Sequence, residues 1–342
     1  MTPSLGPPIP KTEEFIGSQI PPYAILSHTW DVDEPEVTLQ QLLTSPAPAL
    51  YAKAGFRKIT QACALAAARD SLAYAWVDTC CIDKTSSAEL SEAINSMYAW
   101  YRGAAVCYVF LADLKPGTAE DLERDLGRCR WFTRGWTLQE LIAPREVVFF
   151  DKTWACRGSK GELAPLLTRI TGIPERVLRL EAELGTFSVA QRMSWAARRE
   201  TTRVEDTAYC LLGLFDVHMS LIYGEGMKAF ARLQTTIVQS TADLSIFAWV
   251  EDRVPCPLYA GMLAESPRQF AACADIEPAL GDSAYSDFAI TTRGIQTEAS
   301  LVQELDAQGR LGRTALDTFC HIKGGMMVGT PGQLGGAICS SG

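Results

Sequence analysis

Histidine is scarce in this sequence: His28, His218 and His321 are the only three in 342 residues. None stands beside a second His or a Cys at ligand spacing, which argues against a zinc site, and no other metal is expected. Any CxxC pair is also missing among the 11 cysteines. Most lie inside apolar runs, as Cys63, Cys107 and Cys210 do, so they read as buried thiols of a reducing compartment and not as a disulfide framework. Cys80 and Cys81 are adjacent, and on a strand they would face opposite ways. No window approaches the roughly 18 apolar residues of a membrane span, and the N-terminus MTPSLGPPIPKTEEF has no signal-peptide character. A cytoplasmic protein is the expectation. Lys and Arg total 31 against 40 Asp and Glu, for a net charge of −9. The bases are interleaved with acids, so no nucleic-acid partner is expected, although Arg130 and Arg134 could set a local positive pocket for a small anion. A Walker A motif, a G-x-S-x-G elbow and fixed-period repeats are all lacking.

What is present is a body with 47% hydrophobic residues, long enough for two compact units. Its first half alternates short apolar runs with helical patterns, which predicts βα units and a parallel sheet. The runs are 23–27, 74–78, 106–111 and 146–150, apolar on both faces, as strands covered by helices on both sides would be. Between the first two, a helix is expected over about 56–70 with Ile59, Cys63, Ala66 and Ala67 on one face. Ser86 and Glu89 form an S-x-x-E box ahead of Leu90, Ile94, Met97 and Tyr101, which predicts a second helix to about Tyr101. Thr137 and Glu140 repeat the pattern for a short helix stopped by Pro144.

From about 155 the pattern turns helical, over 161–170, 189–199, 204–215 and 227–240. Beyond it, 246–250 reads as strand-like and 288–292 as weakly β. The Gly-rich end from 324 reads as disordered or as part of something longer. Fold class is therefore α/β, α+β overall: a mainly parallel sheet flanked by helices, then a helical subdomain and a small β-containing C-terminal region. The expected divisions are 1–22, 23–154, 155–244, 245–323 and 324–342.

Three ordered blocks, Tyr23 to Trp30, Trp76 to Lys84 and Arg134 to Leu141, resemble the signature blocks of fungal heterokaryon-incompatibility (HET) domains. The resemblance continues through 187–213 and Tyr223-Gly224-Glu225-Gly226, covering roughly 12–250. Asp31 departs from it, standing where such proteins often place Gly after Trp. The family implies self/non-self recognition and death of fused cells, with self-association or a separate sensor protein as partner. A second resemblance, through Trp136-Thr137-Leu138-Gln139-Glu140-Leu141 and the strand order, is to TIR domains of flavodoxin-like order. It implies NAD or a related nucleotide as substrate and Glu140 as the catalytic carboxylate, with no bound cofactor.

Chemistry allows this, because cleaving the nicotinamide-ribose bond passes through an oxocarbenium-like state that a carboxylate stabilises beside an aromatic wall. Glu140 and Trp136 could supply both, beside Arg134. Ligands of open α/β sheets bind at the carboxyl ends of strands, where Ser27, His28, Thr29, Trp30, Asp78 and Asp83 would lie. The bland alternatives stand beside these. Glu140 could be a helix cap, His28 a structural donor, Trp30 and Trp136 core aromatics, and Asp78 and Asp83 solvated or capping carboxylates. Arg203, Glu205 and Asp206 open a helix and read as ion-pairing groups between the helical half and the sheet.

Overall fold

The computed structural model describes residues 8–15, 17, 19–31, 36–250 and 262–278, with the backbone of strands between 288 and 326. The chain divides into two compact units, 1–181 and 182–342. The expected disordered end over 324–342 lies outside the described residues apart from the short strand at 325–326.

The first unit runs β1 (Tyr23–His28), α1 (Leu39–Thr44), α2 (Ala47–Tyr51), α3 (Ala54–Asp70), β2 (Tyr74–Val77), α4 (Ser87–Gly103), β3 (Val106–Phe110), α5 (Ala119–Asp125), α6 (Thr137–Ile142), β4 (Val147–Phe150), β5 (Cys156–Ser159), α7 (Ala164–Thr171) and α8 (Glu175–Leu178). Its five strands lie in the order β2-β1-β3-β4-β5. The first four are parallel, as expected, and β5 joins antiparallel. The turn into β5 is built by Asp151, whose Oδ1 accepts from Thr153 N at 2.9 Å and Ala155 N at 3.2 Å.

The chain moves outward from β1 to β2 and then crosses back over β1 to β3. Crossovers of one hand then place the intervening helices on opposite faces. On one face α3 packs Phe56, Ile59, Ala62 and Ala66 against Ala24 and Leu26 of β1, Val106, Tyr108 and Phe110 of β3, and Val148 and Phe150 of β4. The buried stripe of α3 is therefore centred on Ala62, with Cys63 half-buried and Ala67 exposed, one position off the expected stripe. α3 ends at Ser71 in the left-handed region (φ 55°), where Leu72 N closes on Ala66 O at 2.8 Å. On the other face α4 contributes Ala93, Ile94, Met97 and Tyr101, and α6 is buried along its whole length.

The Ser86 hydroxyl accepts from Glu89 N at 3.3 Å, but Glu89 returns to Asp83 N at 2.7 Å instead of closing the box. At α6 the expected cap does not form. Trp136 already has helical backbone, and the Thr137 hydroxyl donates to the carbonyls of Trp131 at 2.5 Å and Arg134 at 2.9 Å.

The second unit holds α9 (Val189–Ser194), α10 (Asp206–Tyr209), α11 (Lys228–Ser240) and strands β6 (Ile276–Pro278), β7 (Phe288–Thr291), β8 (Gly294–Thr297), β9 (Leu301–Leu305), β10 (Leu311–Leu316), β11 (Cys320–Ile322) and β12 (Gly325–Met326). These strands form three small antiparallel sheets. The expected strand at 246–250 is instead a 3-10 turn over Leu244–Phe247, held by the Asp243 carboxylate accepting from Ser245 N at 2.9 Å.

Two helical glycines differ in what they touch. A Cβ on Gly55 would lie 2.8 Å from Glu36 Cα, so the first turn of α3 needs Gly to seat the segment carrying Glu36, whereas one on Gly103 would meet only Tyr23 Oη at 3.5 Å. Gly55→Ala should lower stability by about 1–3 kcal/mol through overpacking. Gly103→Ala should raise it by up to about 1 kcal/mol, the usual helical gain. Urea midpoints of the two variants check the opposite signs.

Candidate functional site

The carboxyl ends of β1, β2 and β3 gather most of the residues singled out in the sequence, and the pleat sorts them onto two faces. Ser27 points to the α4/α6 face. Its hydroxyl donates to Glu140 Oε2 at 2.5 Å and accepts the Trp131 indole N–H at 2.7 Å. All three are buried, Glu140 being 7% exposed. The Tyr101 hydroxyl donates to Leu26 O at 3.2 Å beside them. Burial, and then the nearby Glu140 carboxyl, hold the Tyr101 phenol well above its usual value, so it stays protonated. Glu140 is thus tied to β1. The aromatic bonded to Ser27 is Trp131, whose ring stands edge-on to Phe149 at 5.9 Å. Trp136 is half-buried at the start of α6, and Arg134 is half-buried with its carbonyl taken by Thr137.

Below the same α6, Lys160 is buried with its ammonium on the carbonyls of Leu141 (3.3 Å) and Pro144 (2.5 Å). Burial lowers it to about 8. It fixes the C-terminal end of the helix that carries Glu140.

His28 points to the α3 face. Its Nε2 stands 3.7 Å from Glu36 Oε1 and 4.0 Å from Asp78 Oδ1, beyond hydrogen-bond reach, and neither ring nitrogen has a hydrogen-bond partner. Burial lowers its pKa to about 4, against the opposing pull of Glu36, so the ring is neutral at pH 7. Glu36 pairs with Lys58, whose ammonium also reaches Thr29 O at 3.3 Å. Asp78 accepts the Trp30 indole N–H at 3.0 Å and faces the Lys84 ammonium at 3.9 Å. Burial raises Asp78 above its usual value, and Lys84 and Trp30 oppose the shift.

Trp30 is 49% exposed, with Lys84 Nζ 3.7 Å from its ring centroid and Arg130 Nη1 donating to its carbonyl at 3.1 Å. It is a surface aromatic, not a core one. Asp83 accepts from the Thr85 hydroxyl at 2.6 Å, Thr85 N at 2.8 Å and Gln40 Nε2 at 2.5 Å, and these donors, the hydroxyl first, hold its carboxyl below its usual value. It orders the 78–86 turn.

Sequence reading missed Trp131, Tyr101, Glu36, Lys58 and Lys84. Only Lys84, inside the Trp76 to Lys84 block, carried a local signal.

In the second unit Glu205 accepts from Gly224 N at 2.8 Å and Gly226 N at 3.0 Å, while Asp206 accepts from the Tyr223 hydroxyl at 3.0 Å. The Arg203 guanidinium lies over the Tyr223 ring at 4.4 Å. These groups thus hold the Tyr223-Gly224-Glu225-Gly226 loop of their own unit.

Among the described residues no group of three or more His, Cys, Asp and Glu could hold a metal, and no helix is long and apolar enough to cross a membrane. The eight described cysteines are free thiols.

Residues 23–126, from β1 through α5, match the family model described as heterokaryon incompatibility protein (HET). The chain is also 50% identical over 233 residues to the vegetative incompatibility protein HET-E-1 of Podospora anserina. That match covers 66% of this chain and 17% of the relative. No solved structure matches.

The buried neutral His28 sets a pH dependence. Its folded pKa, about 4, lies below the ordinary 6.5, so the unfolded chain binds the proton first as pH falls. Stability from this group is complete above pH 6.5 and is lost between 6.5 and about 4, at up to about 1.4 kcal/mol per pH unit. His28→Gln should flatten urea stability across that window and leave the slope above pH 7 unchanged.

Proposed function

Because the chain carries a heterokaryon-incompatibility domain, we propose that it is a cell-death effector of fungal self/non-self recognition that acts by cleaving NAD or a related nucleotide. The observation that supports this reading is the Glu140 carboxyl, brought to the carboxyl end of β1 by a helix following β3 and held there by Ser27. That place is the topological switch point of the sheet, between β1 and β3, where ligands of such folds bind. The order β2-β1-β3-β4 is the flavodoxin-type order, in keeping with the resemblance to TIR domains; the antiparallel β5 departs from a wholly parallel sheet.

In this reading Glu140 stabilises positive charge developing on the ribose, Trp30 offers its exposed ring to the nucleotide, and Arg130 and Lys84 supply positive charge beside it. Ser27 orients the carboxyl. Access requires the Ser27, Trp131 and Glu140 cluster to open, so turnover would be low in the monomer and would rise on self-association or on binding a separate sensor.

The burial of Glu140 also favours a second reading, in which its bond to Ser27 only braces the fold and the domain signals by self-assembly without catalysis.

Nicotinamide release from NAD by purified protein, monomeric and concentrated, separates the two. On the first reading Glu140→Gln lowers release by about 10²-fold or more. The melting temperature should stay near that of the wild type, since Gln keeps the size and an acceptor for Ser27. Release that survives the change would remove Glu140 from the chemistry. No release from the wild type in either state would leave the adaptor.

A further inference from the structure

Three thiols meet where α3 packs on the end of β2. Cys80 lies in the core of that face, and Cys63 and Cys81 pack half-buried against it. Directly after β2 the chain turns, with Cys80 N and Cys81 N both bonded to Val77 O, at 3.1 and 2.8 Å. The turn brings the neighbouring side chains together instead of sending them to opposite faces as a strand would. The Cys81 sulfur accepts the Val77 N–H at 3.4 Å, and the Cys80 thiol is its electrostatic neighbour.

We infer that Cys80 and Cys81 form a reversible redox site, closing to a disulfide between adjacent residues when a hydroperoxide reaches the half-buried Cys81. The neighbouring Cys80 thiol, and then the Val77 N–H, hold the Cys81 thiol below its usual value against its burial, which favours the thiolate. The thiolate attacks the peroxide oxygen, the O–O bond breaks, and the distal oxygen leaves as water or alcohol, giving a sulfenic acid. Cys80 then attacks that sulfur, loses its proton and expels the hydroxyl as water. In sum two thiols lose two hydrogens, and one peroxide is reduced.

Consecutive Cα atoms are about 3.8 Å apart, below the usual span of about 4.4–6.8 Å for disulfides, so the closed ring is strained and readily reduced. That suits a switch better than a staple. The turn also bears Asp78 and Asp83, so closing the ring acts on the contacts of Trp30 and Gln40.

Tryptic peptides of the full chain give the test. Cleavage after Lys58, Arg69 and Lys84 puts Cys63 in peptide 59–69 and both Cys80 and Cys81 in peptide 70–84. The protein is treated with hydrogen peroxide in a Cys156→Ser background, which removes an exposed thiol. Peptide 70–84 should lose two hydrogens, regain them with dithiothreitol, and show no such loss in Cys81→Ser. In Cys80→Ser the same peptide should instead gain oxygen at Cys81. A cross-link between peptides 59–69 and 70–84 would overturn the pairing and assign it to Cys63. An unchanged peptide 70–84, under peroxide that oxidises methionines elsewhere in the chain, would overturn the site altogether.

Discussion

The pleat of β1 at its last two residues governs both polar clusters of the first unit. Successive strand residues face opposite ways, so Ser27 enters the layer of α4 and α6 while His28 enters the layer of α3. Both are buried, so each must find its surroundings inside the protein. A slip of one residue would carry His28 toward Trp131 and Glu140 and Ser27 toward Lys58 and Glu36, and it would also turn Leu26 out of the α3 core. Register is fixed from both sides, by Ile25 opposite Trp76 on β2 and Cys107 on β3.

On the α6 side the direction of every proton follows from the chemistry of the donors. An indole N–H can only donate, so Trp131 occupies an acceptor site of the Ser27 oxygen, and the hydrogen of Ser27 is committed to Glu140. Tyr101 keeps its own proton and spends it on Leu26 O. The carboxyl therefore receives the Ser27 hydroxyl proton. The buried Lys160 ammonium serves the far end of α6 through the carbonyls of Leu141 and Pro144.

The sheet was legible because its strands are apolar on both faces and its helices are long and periodic, as Ile94, Met97 and Tyr101 are on α4. β5 was not, since Cys156-Arg157-Gly158-Ser159 is a short edge strand with no apolar pattern, and pairing with β4 comes from the Asp151 turn. Ser27, His28 and Asp78 could be named because strand ends are visible in sequence. Glu36 and Lys58 could not, because the ion pair joins a loop to a helix face and neither residue breaks its local pattern. The Thr137-x-x-Glu140 box misled for a specific reason. A capping Thr needs an extended backbone ahead of the helix, but here Trp136 is already helical and Thr137 has given its hydroxyl to two carbonyls.

The two faces answer the same problem, polar groups without water, in ways that differ in how they would receive a ligand. At Ser27 and Glu140 the donors and acceptors are matched, so a polar ligand must first break a short hydrogen bond between buried groups, which leaves each exposed to the full penalty of an unmade bond. At His28 both ring nitrogens stand without a hydrogen-bond partner beside Asp78, and Asp78 is joined to the half-exposed Trp30. A ligand group entering there gains a hydrogen bond that the fold itself leaves unmade. Its ring can meet an indole already at the surface, with the Lys84 ammonium in place against it. On the proposed reading, a nucleotide would first meet the α3 side of β1, at the exposed Trp30 with Asp78 and the buried His28 behind it, and would reach Glu140 only after β1 or α6 yields. The step between that first contact and chemistry at Glu140 would be the breaking of the Ser27 bond.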